Sequence, residues 1–219
     1  MIISRGRRYV FVHIPKSGGT SLSLALEGRA MKDDILVGDT PKALRRRKRL
    51  KAMTGAERLR KHGVLSDIDG IVSADELRSM FTFTLVRNPW DRMVSYYHWL
   101  RDQTFEHPAV GLARTLPFTE FVLHADTAQS FAANPARRYM TLANGVEHCS
   151  AYIRLEQFEK DAEPLFEHLG FRLSLPQSNR SDRVADYRGY FTPKTRAAVA
   201  AACAEDIEKF GYGFDDFGI

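Results

Sequence analysis

The chain has 219 residues, 44% hydrophobic and 27% charged, enough to bury one sizeable core, so residues 1–219 are expected to form a single globular domain. A formal net charge of +5 and an isoelectric point near 9.3 point to anionic partners: nucleotides, acidic glycans, nucleic acid or acidic membranes. No stretch reaches the roughly 18 consecutive apolar residues of a spanning helix, and Cys149 and Cys203 fit no metal-ligand spacing and read as ordinary reduced thiols.

The first eight residues are basic, and the apolar run from Tyr9 to Ile14 is too short for a signal-peptide core and lacks a small-residue cleavage site. The expected location is therefore the cytoplasm. Arg8 to Ile14 reads as a strand, broken by Pro15-Lys16-Ser17-Gly18-Gly19, with a helix capped by Thr20 and running towards Arg29. Lys42 to Lys61 is dense in lysine and arginine, with Arg45-Arg46-Arg47-Lys48-Arg49 at its centre, and is expected to be a basic helical insertion at about 40–62. Such a run is either a polyanion patch or the solvated face of a helix docked by Leu44, Leu50, Ala52 and Met53.

Ser73 to Met80 is helix-like, and Thr82 to Val86 reads as a core strand ended by Asn88-Pro89, with a helix from Trp90 to Arg101 behind it. Ala151 to Leu155 is a third strand, and Glu156 to Leu169 a helix closed by Gly170. Thr192-Pro193 starts a last helix whose Val199, Cys203, Ile207 and Phe210 recur at helical spacing. This alternation predicts an α/β fold with a central, largely parallel sheet flanked by helices. Internal repeats and low-complexity segments are not seen.

The chemistry begins at His13-Ile14-Pro15-Lys16-Ser17-Gly18-Gly19-Thr20-Ser21. A glycine-rich turn from strand into helix lets backbone N–H groups approach a phosphate, and the helix dipole adds to the attraction. The lysine precedes the glycines, unlike the Walker loop, and no acidic strand end for magnesium is evident. That suits transfer of a sulfuryl group, which carries less negative charge than a phosphoryl group. No metal is expected.

This loop resembles the 5′-phosphosulfate loop of the sulfotransferase superfamily, in the branch of bacterial enzymes and Golgi carbohydrate O-sulfotransferases. Phe83-Thr84-Leu85-Val86-Arg87-Asn88-Pro89-Trp90-Asp91-Arg92-Met93-Val94-Ser95-Tyr96-Tyr97 resembles its 3′-phosphate segment, and Leu175 to Tyr190, with Asn179-Arg180-Ser181, a third. The closing Asp206-Ile207 and Phe210-Gly211-Tyr212 also fit the family order. The resemblance implies a P-loop-like three-layer fold, 3′-phosphoadenosine-5′-phosphosulfate as donor and 3′,5′-ADP as product. It also implies an acceptor hydroxyl, expected to be that of a glycan or other carbohydrate, with no nucleic-acid partner. The Golgi relatives are membrane-anchored, and that location does not carry over.

By the same resemblance Lys16 contacts the 5′-phosphosulfate and stabilises charge on the bridging oxygen, as a point cation in a dry cradle can. Ser17, Gly18, Gly19, Thr20 and Ser21 supply donors around it, Arg87 and Ser95 converge on the 3′-phosphate, and Arg180 and Ser181 complete the nucleotide site. Arg92 is expected to pair structurally with Asp91 or a neighbouring acid. The acceptor needs a general base, a role that histidine or glutamate fills in the family. Of the seven histidines, His62 is chosen, with Asp67, Asp69 and Glu76 as alternatives. His13 is read as structural and His98 as a lone exposed histidine. Tyr96, Tyr97, Trp99, Phe105 and Tyr139 are open to sugar stacking or to the core. Two other classes compete: a P-loop kinase or nucleotide hydrolase, and a noncatalytic polyanion-binding protein built on the basic segment.

Overall fold

The computed structural model describes residues 1–176 and 184–216. In chain order its strands are β1 (Ile2–Ser4), β2 (Tyr9–Val12), β3 (Ile35–Leu36), β4 (Phe81–Val86) and β5 (Ala151–Arg154). Its helices are α1 (Gly19–Gly28), α2 (Pro41–Lys51), α3 (Ala74–Arg78), α4 (Pro89–Arg101), α5 (Pro108–Thr115), α6 (Phe118–Leu123), α7 (Ala125–Ala132), α8 (Ala136–Tyr139), α9 (Phe158–Asp161), α10 (Glu163–Leu169), α11 (Pro193–Ala202) and α12 (Ala204–Phe210). They fall into two compact units, one comprising the described residues of Met1–Val86 and Ala136–Asn179, the other those of Arg87–Pro135 and Arg180–Ile219.

The first unit is an α/β layer built on a five-stranded sheet of order β3-β1-β2-β4-β5. Every residue of β2 is at most 1% exposed, as a strand covered on both faces requires. Its pairings with β4, and those of β4 with β5, are parallel, with Val12 opposite Thr84 and Val86 opposite Arg154. The expected parallel sheet is therefore its core. β1 adds antiparallel edges on β2 and β3. Phe11, Phe83, Leu85 and Ile153 from the sheet meet Leu22 and Leu26 of α1 and Leu165 and Phe166 of α10 in one core.

Two boundaries differ from expectation for local reasons. The cap of α1 is Gly18, at φ 81°, and Thr20 lies inside the helix, because the left-handed turn at Gly18 is what redirects the chain. The helix foreseen over Glu156–Leu169 is a 3₁₀ turn (Leu155–Gln157) followed by α9 and α10. Pro164 has no N–H and would clash with the Lys160 carbonyl in a continuous helix, so the break falls at Ala162.

The second unit is helical. Asn88, fully buried, starts α4: its Oδ1 accepts from the Trp90 N–H at 3.1 Å while its Nδ2 donates to the Gly213 carbonyl at 2.9 Å. Trp90, Met93, Val94 and Tyr97 on α4 pack with Phe118, Phe121, Tyr187 and Val199. The last helix divides at Cys203 into α11 and α12, and α11 carries the foreseen cap, in which Thr192 and Thr195 bond each other's backbone N–H groups.

Candidate active site

In the first unit the turn between β2 and α1 is the Pro15-to-Gly19 loop. Lys16, at φ 64°, and Gly18, at φ 81°, are both left-handed, which folds the loop back on itself before α1 begins. A side chain at Gly18 would meet Leu155 Cδ1 at 2.7 Å, and one at Gly19 would strike the His13 ring at 2.2 Å. These glycines are therefore required by close packing as well as by backbone angle. Ser17 is 1% exposed and its Oγ has no hydrogen-bond partner among the described residues. A buried hydroxyl left without a partner costs about 1–3 kcal/mol, so a loop of this kind fits an anion that would accept from it. Lys16, Thr20 and Ser21 are each partly exposed around that point.

His13 leaves β2 and is buried against Gly19. Its ring stacks on Phe11, with centroids 5.9 Å apart, and meets the His62 ring edge-on at 4.6 Å. The structure thus brings His62, 46 positions beyond Lys16 in sequence, to the residue that enters the loop. His62 Nδ1 lies 3.1 Å from the His13 carbonyl oxygen. The carbonyl can only accept, so Nδ1 carries the proton and Nε2 keeps its lone pair. The outer edge of His62 meets solvent. Burial of its inner part pushes its pKa down to about 4, with the Lys61 ammonium adding to the effect and the bond to the His13 carbonyl opposing it. Burial likewise holds His13 well below its ordinary value, with His62 next in effect.

Two of the three alternative bases are engaged elsewhere. Asp67 Oδ2 accepts the Val64 N–H at 3.0 Å and closes the turn after His62, and Glu76 is 2.6 Å from Arg5 Nε. Asp69 is partly exposed.

In the second unit Arg87 is the first residue beyond β4, and Ser95, 7% exposed, lies on α4. Arg87, Asp91 and Ser95 recur at intervals of four and so share one side of the chain as it enters and follows the helix. Asp91 pairs with Arg87, through Nη2 at 2.6 Å. Arg92, expected to pair with Asp91 or a neighbouring acid, lies over the Phe131 ring at 5.2 Å. The Arg87–Asp91 pair was not foreseen, although the i+4 spacing was the available signal. Arg180 and Ser181 lie outside the described residues.

The aromatic candidates separate by burial. Tyr97 and Tyr139 are core, with Tyr97 Oη donating to the Leu116 carbonyl at 2.9 Å. Tyr96 and Trp99 are partly exposed and stacked at 6.2 Å, and Phe105 is 48% exposed. His98 is packed edge-on to Tyr97 and Tyr190 rather than standing alone in solvent.

No described helix is long and apolar enough to cross a membrane. The model of the sulfotransferase family matches residues 1–213. Among solved structures, mouse sulfotransferase SULT7A1 complexed with PAP aligns with 98% of this chain and 88% of its own at 18% identity and a TM-score of 0.47. No curated protein matches. With a family match running through both units, from β1 to the segment after α12, the chain belongs to the sulfotransferase family.

Proposed function

We propose that this sulfotransferase moves a sulfuryl group from 3′-phosphoadenosine-5′-phosphosulfate to the hydroxyl of a carbohydrate acceptor. The observation that carries this reading is the doubly left-handed Lys16–Gly18 loop with the buried, unpartnered Ser17 hydroxyl at the start of α1. Lys16 and the loop donors Ser17, Gly18, Gly19, Thr20 and Ser21 take the 5′-phosphosulfate. Arg87 and Ser95 take the 3′-phosphate, and Arg180 and Ser181 complete the nucleotide site. His62 Nε2 removes the acceptor proton as the new oxygen–sulfur bond forms. The bond from sulfur to the bridging oxygen then breaks, and 3′,5′-ADP leaves with its charge met by the Lys16 ammonium.

The carbohydrate assignment is supported by the partly exposed Tyr96, Trp99 and Phe105, whose faces suit sugar rings. The test has two steps. Thermal stabilisation by 3′,5′-ADP is compared with that by ATP and magnesium, and labelled donor is then offered with glycans, lipids and small hydroxyl compounds. Stabilisation by 3′,5′-ADP and label on a glycan are expected. Preference for ATP with magnesium would return the chain to the kinase reading, and label on a lipid would overturn the acceptor class.

A further inference from the structure

Helix α2 carries seven cations and no acid. They divide by what they touch. Lys42 donates to the Glu27 carbonyl, Arg46 to the carbonyls of Met31 and Asp34, and Arg49 to the Lys32 carbonyl and the Asp33 carboxylate. These three, with buried Ala43, seat the helix. The other four, Arg45, Arg47, Lys48 and Lys51, are exposed and make no ion pair among the described residues.

At 100° per residue these four lie on the outward half of the helix, around Leu44. Arg45 with Lys48, Lys48 with Lys51, and Arg47 with Lys51 are three or four apart, so like charges stand side by side and repel. An anion laid along the helix would relieve all three contacts at once. Solvent alone relieves them less well.

We infer that the outward face of α2 is a docking surface for an acidic glycan, an extended chain bearing carboxylate or sulfate groups. A row of cations about 9 Å long, from Arg45 to Lys51, matches repeated charges on a linear polymer, and two guanidinium forks match the oxygen pairs of sulfate and carboxylate. Nucleic acid is less well matched, because residues 41–61 hold no Phe, Tyr or Trp on which a base would stack. A membrane is less well matched too: the inner side of α2 is spent on the protein, and Leu44 is its one exposed large apolar residue. The choice of glycan among polyanions rests on the carbohydrate reading above.

The test uses heparin as the probe and the full chain. A variant with Arg45, Arg47, Lys48 and Lys51 all changed to alanine is compared with a control of equal net charge that loses Lys32, Arg114, Lys160 and Lys194, which are exposed and scattered. At about 0.1 M salt the α2 variant should bind heparin at least ~10-fold more weakly and lose roughly three units of log–log salt slope. The control should change less than ~3-fold. Neither should melt below the wild type, and both should keep stabilisation by 3′,5′-ADP. Equal loss in variant and control would reduce the effect to net charge and overturn the proposal. So would tighter wild-type binding to duplex DNA or to phosphatidylserine vesicles than to heparin. If 3′,5′-ADP fails to bind while α2-dependent heparin binding stands, the donor reading falls and the docking surface remains.

Discussion

Arg87 is held by Asp91 through two nitrogens on one oxygen: Nε lies 2.8 Å and Nη2 2.6 Å from Oδ2. Both side chains are mostly covered, at 15% and 17% exposure, so the pair is screened less than a surface bridge. Asp91 fixes the direction in which the guanidinium points, which makes it a positioning residue for the proposed 3′-phosphate contact. Arg87→Ala should weaken 3′,5′-ADP by roughly ten- to a hundredfold, from a charge-assisted bond of about 1.5–3 kcal/mol, and leave 5′-AMP nearly unchanged. Asp91→Asn should narrow the same preference by about threefold, since the fork loses its anchor but not its charge. Ser95→Ala should act mildly in the same direction. Calorimetric titration of both nucleotides reads all three, and a wider preference in Asp91→Asn would make that carboxylate a competitor of the phosphate.

Gly19→Ala tests the loop. The new Cβ would lie 2.2 Å from His13 Cδ2, and the ring is backed by Phe11 and His62. Forced repacking of this kind costs about 1–3 kcal/mol, or about 2–12 °C in melting temperature for a chain of this size. Gly28→Ala, at the other end of α1 with open space around its Cα, is the control and should be neutral to slightly stabilising. Equal melting temperatures for the two variants would show that His13 moves aside at no cost.

What was legible in the sequence followed the length of the signal. β2 and β4 announce themselves as apolar runs ended by Pro15-Lys16 and Asn88-Pro89, and both motifs sit at strand ends as read. β1 and β3, three and two residues long, carry no periodicity of their own and exist because Ile3 finds partners at both Val10 and Ile35. His62 was chosen by family position, and its bond to the His13 carbonyl, 49 residues away, could be seen only in the fold.

Folding stability should fall on mild acidification. His13 and His62 both have pKa values below the ordinary 6.5, so between those values and 6.5 the unfolded chain binds more protons than the folded one. The stabilisation is complete above about pH 6.5 and is lost as pH drops towards the folded values, about 4 for His62. Melting temperatures at pH 7.5, 6.5, 5.5 and 4.5 should decline over the last three. His62→Gln should flatten part of that decline, and a flat wild-type curve would contradict the neutral state of the buried His13 and the half-covered His62.

Turnover should survive chelation. The Lys16-to-Gly19 loop lacks the Walker order, and among the described residues no three His, Cys, Asp or Glu side chains converge. Activity in EDTA should match that in magnesium, whereas loss in EDTA with recovery on adding magnesium would favour phosphoryl chemistry.

The last prediction separates the two groups proposed to act on the reacting atoms. If Lys16 meets the leaving group and His62 the attacking one, Lys16→Ala and His62→Ala should each lower kcat. General-base loss is typically about 10²- to 10⁴-fold. Only Lys16→Ala should also weaken 3′,5′-ADP, because His62 is assigned to the acceptor and its removal leaves the donor contacts in place. The pH profile adds a signature that a merely structural histidine lacks. A base must be deprotonated to act, and the His62 pKa is pushed down to about 4, so the acid limb of kcat/KM should fall well below pH 6.5, the ordinary value for histidine. The limb of kcat should lie higher, since bound donor brings negative charge that favours imidazolium. In His62→Ala both limbs should vanish from this range while slow turnover persists. Near-normal turnover in folded His62→Ala would remove it as the base, and lost 3′,5′-ADP binding in that variant would place it in the nucleotide site instead.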